Sequence, residues 1–472
     1  MHALTASEQL DALRSGEVSS RELTAHYLDR IDRHDADLGA FITVLHEHAM
    51  TAAAAADEAR ARGDDNGLLH GLPLALKDMH ASAGLRTTFG CKVYSDLVPD
   101  VDAPAIGNLR AAGVVVIGKT NVPEFGPTCY TDNDLRGPTV TPYGKGLSSS
   151  GSSGGSATAV AAGLVGIAHG SDGLGSIRTP AATCGLVGFK PSRGRVAGSG
   201  AGYVAFAVEG PLARTVGDAA LFLDAMGGPA SSDIWRAPSA PPDAFCAAAR
   251  RRPERALRIG RISTPRSDVD VHPDCLAGLD RAAQLLTDCG HEVVDVPAEL
   301  LPSFDDVRPA VHAILTTSIG LIVEQLVPAD QRHLLMPYTR WLAESDAVSG
   351  LQLSLAQGTL ARAAAQYAEL LRSFDLVISP TTTAPPVPIA DLRCDDGPES
   401  LEAMARWSAF TPAANIAGTP AVNLPVHVSD AGLPIGVQLS GPAFSDELLV
   451  SVAAQVEEHA QWHEVHPTVW ND

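Results

Sequence analysis

The stretch from Leu147 to Arg195 constrains this chain more than any other. It holds Gly151-Ser-Ser-Gly-Gly-Ser156, then a run of small apolar residues, then Gly170-Ser-Asp-Gly-Leu-Gly-Ser-Ile-Arg178 and Gly188-Phe-Lys-Pro-Ser-Arg-Gly-Arg195. Ala157 to Val165 reads as a helix whose side chains are small enough to lie close against a sheet. Two Gly/Ser loops bracket that helix and set Ser152 and Ser176 24 positions apart. Glycine lets backbone N–H groups converge on one point, which suits an anion or a developing oxyanion. One such loop alone reads as a flexible turn; two around a tightly packed helix point to a site.

The elements around this stretch alternate. Residues 1–62 read as helices, with capping boxes at Thr5/Glu8 and Ser19/Glu22 and an apolar face of Leu23, Tyr27, Leu28 and Ile31. An Ala-rich third helix over 49–62 ends at Gly63. Beyond residue 70, the run Leu72–Leu76 and the β-branched Val114–Ile117 are strands among helices, which predicts an α/β sheet covered on both faces. Residues 228–256, rich in Pro, Ala and Arg, predict a surface connection. A strand at 258–262, a helix at 275–289 and a strand at 293–296 form a strand–helix–strand unit, and 303–372 are mostly helical. Phe374–Pro380 returns to a buried strand; 421–424 and 435–439 supply the last strands before a helix at 445–459. There is no internal repeat and no low-complexity tail.

Charge and cysteine usage exclude several functions. With 34 basic against 55 acidic residues the formal charge is -21, and no Lys/Arg tract interrupts it, so a phosphate backbone is repelled and nucleic acid is not an expected partner. The seven cysteines are scattered and contain no Cys-x-x-Cys, which indicates neither a disulfide framework nor a zinc site; no metal and no cofactor are expected. No signal peptide is visible at the N-terminus, and runs such as Ala157–Ala168 are too short for a bilayer, so the expectation is a cytoplasmic protein without membrane attachment.

Two motifs match by letter only. Gly113-Val-Val-Val-Ile-Gly118-Lys119-Thr120 fits a phosphate loop, but its four intervening residues are the strongest strand run in the chain, so their N–H groups belong to a sheet. Gly151-Ser-Ser153-Gly-Gly155 fits a nucleophile elbow, but no apolar strand precedes it, only Leu147-Ser-Ser-Ser150.

Several ordered segments together resemble the amidase-signature family of serine hydrolases, which includes fatty-acid amide hydrolases, aryl and peptide amidases and nylon-oligomer cyclic-dimer hydrolases. They are Gly71-Leu-Pro-Leu-Ala-Leu-Lys-Asp78, Gly118-Lys-Thr-Asn-Val-Pro-Glu-Phe125, the Ser/Gly stretch, Gly210-Pro-Leu-Ala-Arg-Thr215 and Gly432-Leu-Pro-Ile-Gly-Val-Gln438. The likeness runs from about Leu4 to Trp470, with gaps over 228–256 and 300–370. It implies one domain over 1–472 with a central mixed sheet covered by helices on both faces: N-terminal helices 1–62, signature core 70–227, variable insert 228–372 and C-terminal core 373–472. By the same resemblance the catalytic lysine falls on Lys77, the cis-serine on Ser152 and the nucleophile on Ser176. The oxyanion hole falls on the N–H groups of Gly173, Leu174, Gly175 and Ser176. Ser153 is implied to hold the lysine, and Asp172 with Arg178 a supporting ion pair; Asp78 is structural, and His80 and His169 need no catalytic role.

The residue types suit that chemistry. Lysine acts as a base only when neutral, so its pKa must fall from about 10.4 toward 7–8, at a cost of roughly 3–5 kcal/mol of stability. Leu74, Ala75 and Leu76 supply apolar surroundings for Lys77. Ser152 would pass the Ser176 proton to Lys77, and the protonated lysine would return it to the departing amine before water cleaves the acyl-enzyme.

Two positions depart from the family pattern. Leu174 stands where the family has glycine, which would be strained if the position required positive φ and would narrow the acyl pocket. Thr141-Pro142 replaces Asn-Pro. The expected activity is hydrolysis of a small-molecule carboxylic amide, linear or cyclic. Alternatives are the glutaminase subunit of a tRNA-dependent amidotransferase, whose Ser-Leu-Asp-Gln-Ile-Gly-Pro stretch is poorly matched by Ala207-Val-Glu-Gly-Pro211, an esterase or carbamate hydrolase on the same fold, and a catalytically silent scaffold. The resemblance leaves a homodimer open. Pocket walls are expected from 126–146 and 303–345; Ile314–Val327 reads either as the lining of an apolar entrance or, preferably, as an ordinary core helix.

Overall fold

The computed structural model describes residues 1–64, 67–198, 206–228, 233–345, 347–394 and 396–471. Its centre is one mixed sheet of eleven strands among the described residues. In chain order these are β1 (Phe41–Val44), β2 (Pro73–Lys77), β3 (Val115–Thr120), β4 (Ile167–Asp172), β5 (Val187–Lys190), β6 (Val208–Ala213), β7 (Arg258–Arg261), β8 (Glu292–Asp295), β9 (Leu376–Pro380), β10 (Ala421–Val428) and β11 (Pro434–Ser440). Their order across the sheet is β1-β3-β2-β4-β6-β5-β10-β11-β9-β7-β8, with helices packed on it.

Strands β2 and β3 lie parallel and are buried at every position, as their continuous apolar runs predict. Gly118, Lys119 and Thr120 lie within β3, so the phosphate-loop match is a strand. The Lys119 ammonium is buried, 3.3 Å from Asp78, and donates to Ser82 Oγ and Thr87 Oγ1. Asp78 is accordingly structural, and Thr88 also donates to it. The N-terminal region differs from expectation in one respect: β1 interrupts the helices, pairing antiparallel with β3 at the sheet edge. The 49–62 helix starts earlier, at His46, immediately after it. Four residues following a helix and a Gly39 cap carry too little pattern to show as a strand.

Every residue of the helix Gly154–Ala161 is buried. Small side chains are required there: a Cβ on Gly155 would meet Asn121 N at 2.3 Å and Ala40 O at 2.5 Å. This helix holds one Ser/Gly loop against the other. Strands β4, β5 and β6 carry too many Gly, Ser and Pro to announce themselves, yet they pair in register and bring Asp172, Lys190 and Glu209 into the core.

The insert follows the prediction. The strands β7 and β8 pair in parallel around the helix Pro273–Asp288, and the helices Phe304–Leu326, Pro337–Glu344 and Gly350–Arg372 occupy the predicted helical region. The predicted 228–256 connection contains a short helix, Ala244–Ala249, and its residues 229–232 lie outside the described ones. By length and hydropathy Phe304–Leu326 is the one described helix long and apolar enough to cross a membrane. In the fold Ala310 and Ile314 pack with Ala356 and Leu360, and Ile319 and Val323 pack with Leu342.

Candidate active site

Lys77 is the last residue of β2 and is buried. Its Nζ donates to Ser152 Oγ at 2.9 Å and to the Ser171 carbonyl, in β4, at 3.1 Å. Burial strips water from the ammonium and pulls its pKa from 10.5 down to about 7, against the opposing pull of Asp172 and Glu209. Ser152 sits two residues before the buried helix, and the Gly151–Ser152 peptide bond is cis. Ser176 lies between β4 and the helix Arg178–Thr183, and its hydroxyl makes no hydrogen bond among the described residues. Lys77, Ser152 and Ser176 line one cavity of about 370 Å³.

Asp172 organises the loop that carries Ser176. One carboxylate oxygen accepts from Gly175 N at 2.7 Å and the other from Ile177 N at 3.2 Å. Arg178 binds the same carboxylate twice, through Nε at 2.9 Å and Nη2 at 3.1 Å. Arg178 continues to Thr411 O and Gln438 Oε1, and Asn415 donates to Asp172. Burial alone would raise the Asp172 carboxyl, but the guanidinium outweighs it and holds the group well below the ordinary carboxylate range. The predicted ion pair is thus a buried brace on both sides of the nucleophile.

Three sequence expectations change in detail. The Gly175 N–H is committed to Asp172, so in this loop the groups without an acceptor among the described residues are those of Gly173, Leu174 and Ser176. Leu174 is not among the residues at positive φ; Gly175 takes that conformation, φ 135°, so leucine at 174 is unstrained. Among the described residues Ser153 makes no hydrogen bond to Lys77: its hydroxyl donates to the Ser171 carbonyl at 3.2 Å, the same oxygen that holds the lysine. Ser153 is buried, and the cavity is lined by Ser152 instead, which disposes of the elbow reading. Thr141 closes its loop by donating to Thr183 O at 2.8 Å.

The cavity walls come partly from the expected segments. Phe125–Cys129 and the stretch from Leu301 to Ser318 contribute, so the predicted core helix serves also as a wall through Ile314 and Leu315. A third wall, from Leu401 to Ile416, was missed, because it carries apolar and small residues that any packed helix would show. Also unread were Ser171, Thr411, Asn415 and Gln438, which reach the site through backbone atoms or from distant parts of the chain. No Asp or Glu lines the cavity among the described residues, and Arg308 on its wall is paired with Glu402 at 2.6 Å.

One further cluster lies beside Lys77. The ligand atoms of His80, His169 and Glu209 fall within 4.8 Å of one another, a spacing that suits a small cation. Each carboxylate oxygen of Glu209 is, however, already faced by an imidazole, at 2.7 Å from His169 and 3.5 Å from His80. The Lys77 and Lys119 ammonium groups both act on His169, and a dication would stand against them. Among the described residues neither imidazole is hydrogen-bonded to Ser152, Ser153 or Ser176.

The chain is similar to known proteins over most of its length. A family model described as Amidase matches residues 22–450. A glutamyl-tRNA(Gln) amidotransferase subunit of Desulforapulum autotrophicum is 36% identical over 489 residues, covering 97% of each chain. The putative amidase AmiA2 of Mycobacterium tuberculosis H37Rv is 36% identical over 471 residues, covering 99% of this chain and 95% of that protein. Among solved structures, that of 6-aminohexanoate cyclic dimer hydrolase complexed with substrate superposes with a TM-score of 0.89 at 31% identity, covering all of both chains.

Proposed function

This chain belongs to the amidase family and is a hydrolase of amide carbon–nitrogen bonds, and from that premise we propose that it works through Ser176, with Ser152 passing the proton to Lys77. The observation that carries this reading is the 2.9 Å bond from a buried Lys77 amine to Ser152 Oγ, at the wall of a cavity that Ser176 also faces. With its pKa near 7, much of the lysine is neutral at physiological pH and can act as a base.

Ser176 Oγ attacks the amide carbonyl while its proton passes to Ser152 and the Ser152 proton to Lys77. The oxyanion is met by N–H groups of Gly173, Leu174 and Ser176 in a loop already fixed by Asp172. As the C–N bond breaks, the proton returns through Ser152 to the amine, and water then cleaves the acyl-enzyme on the same path.

The lining argues for the substrate class. Phe125, Leu174, Phe206, Val311, Ile314 and Met404 present apolar surface, so an amide with a bulky apolar or aryl group gains most from burial there. The 36% identity to an amidotransferase subunit favours a second reading, glutamine hydrolysis. An α-ammonium group would find no carboxylate in the described cavity, which favours the apolar amide. A hydrolysis screen over aryl, alkyl and cyclic amides together with glutamine tests both. The expected result is turnover of apolar amides that Ser176→Ala abolishes; turnover of glutamine alone would replace this reading with the second, and turnover retained by Ser176→Ala would end both.

A further inference from the structure

Lys77, Ser171 and Glu209 stand on three neighbouring strands, β2, β4 and β6. Ser171, whose carbonyl holds the Lys77 amine, is the direct cross-strand partner of Glu209. Glu209 is 5% exposed, and no arginine or lysine forms an ion pair with it within 4.0 Å among the described residues. Two imidazoles hold it instead: His169 Nε2 donates to one oxygen at 2.7 Å, and His80 Nδ1 lies 3.5 Å from the other. The rings meet edge to face, with centroids 5.0 Å apart. Burial keeps both imidazoles neutral, with pKa values pushed down to about 3, so each has a single N–H to give. Their other nitrogens, His169 Nδ1 and His80 Nε2, are buried without a partner among the described residues. Holding this carboxylate is the polar work left to the two rings.

We propose that Glu209 is a positioning residue of the reaction: clamped by His169 and His80, it lies behind the Lys77 amine as a second counter-charge beside Asp172. This rests on the reading of Lys77 as the base. The groups that act on Lys77 are Asp172 and Glu209, and Lys77 in turn acts on His80, His169 and Glu209. Asp172 is already engaged by Arg178, and Lys119 by Asp78, whereas the charge of Glu209 has no arginine or lysine partner among the described residues. Burial pushes the Glu209 carboxyl up, and His80 and Lys77 pull it back, while Asp233 adds to the upward push. A negative charge there favours the ammonium. It makes Lys77 the better proton acceptor from Ser152, at the expense of base that is free at acid pH.

The test is the rate at which a fluorophosphonate probe captures Ser176, measured against pH in the full-length enzyme. Wild-type capture should fall on the acid side with a midpoint near 7. In Glu209→Gln that midpoint should move to lower pH, by about half a unit or more for loss of one charge near a buried amine. The plateau rate should fall by a smaller factor than in any Ser152 variant. A midpoint that superimposes on the wild-type value overturns the proposal, and so does a folded Glu209→Gln enzyme that is dead at every pH, since that marks a scaffold role. Should Glu209→Gln not fold, His80→Phe removes one donor from the carboxylate and should move the midpoint the same way, by less; an unmoved midpoint there overturns it equally. If wild-type Ser176 is never captured, the proposed function fails instead, so the two failures are distinct.

Discussion

Lys77→Met should inactivate the enzyme and stabilise it. In the folded chain burial takes the lysine from 10.5 to about 7, a shift that corresponds to about 5 kcal/mol at roughly 1.4 kcal/mol per unit. At Lys77 the unfolded chain binds more protons than the folded one between those values, so this residue alone makes wild-type stability rise with pH across that window by about 1.4 kcal/mol per unit. Below about pH 7 the whole penalty is present. Methionine has nearly the same volume and no charge, and it gives back about 1 kcal/mol through the lost hydrogen bond at Ser152. The variant should therefore be more stable by about 3–4 kcal/mol at pH 6, with the advantage shrinking steadily toward pH 10. Lys190, also buried and pulled down to about 7 mainly by burial, is common to both proteins and cancels in the difference. Denaturant unfolding of both proteins between pH 6 and 9.5, with matched slopes, measures this. A Lys77→Met protein no more stable than wild type at pH 6, or an advantage that does not vary with pH, would refute the reasoning.

Other substitutions have separable outcomes. Asp172→Asn leaves the Arg178 guanidinium buried without its counter-charge, so it should cost about 3–5 kcal/mol in chemical denaturation and lose activity with the Ser176 loop. Ser152→Ala removes the relay but leaves Ser176 and the oxyanion donors in place; kcat on a preferred amide should drop about 10²–10⁴-fold, while stability falls only by the about 1 kcal/mol of the lost hydrogen bond to Lys77. Leu174→Gly relieves no strain, so stability should not rise, and activity ratios across a panel of acyl groups of graded size should shift toward the larger ones. Unchanged ratios would remove Leu174 from the pocket wall.

What the sequence disclosed follows from where the physics is local. Lys77 and Ser152 stand beside recognisable runs, an apolar strand and a Ser/Gly loop, and the Asp172–Arg178 pair lies within one short segment. The strands β7 and β8 and the long insert helices showed in period and length. By contrast β1 is four residues long and half-buried, and β4 to β6 owe their pairing to neighbours rather than to β-branched side chains. The family resemblance puts the Gly175 N–H in the oxyanion hole, and it does not say which donors a nearby carboxylate takes. The 401–416 wall hides among ordinary core residues, and the Glu209 clamp draws on His169, 40 residues away, and on the still more distant His80, so no short window of sequence holds either.

The chain has five lysines, at 77, 92, 119, 145 and 190, which makes the base directly observable. Enzyme carrying ¹³Cε-labelled lysine should show a handful of side-chain resonances in NMR, and the one absent from Lys77→Met is Lys77. That resonance should titrate with a midpoint near 7. Should it hold its charge up to the ordinary lysine value of about 10.4, Lys77 is no base at neutral pH and the account of Ser176 activation is wrong.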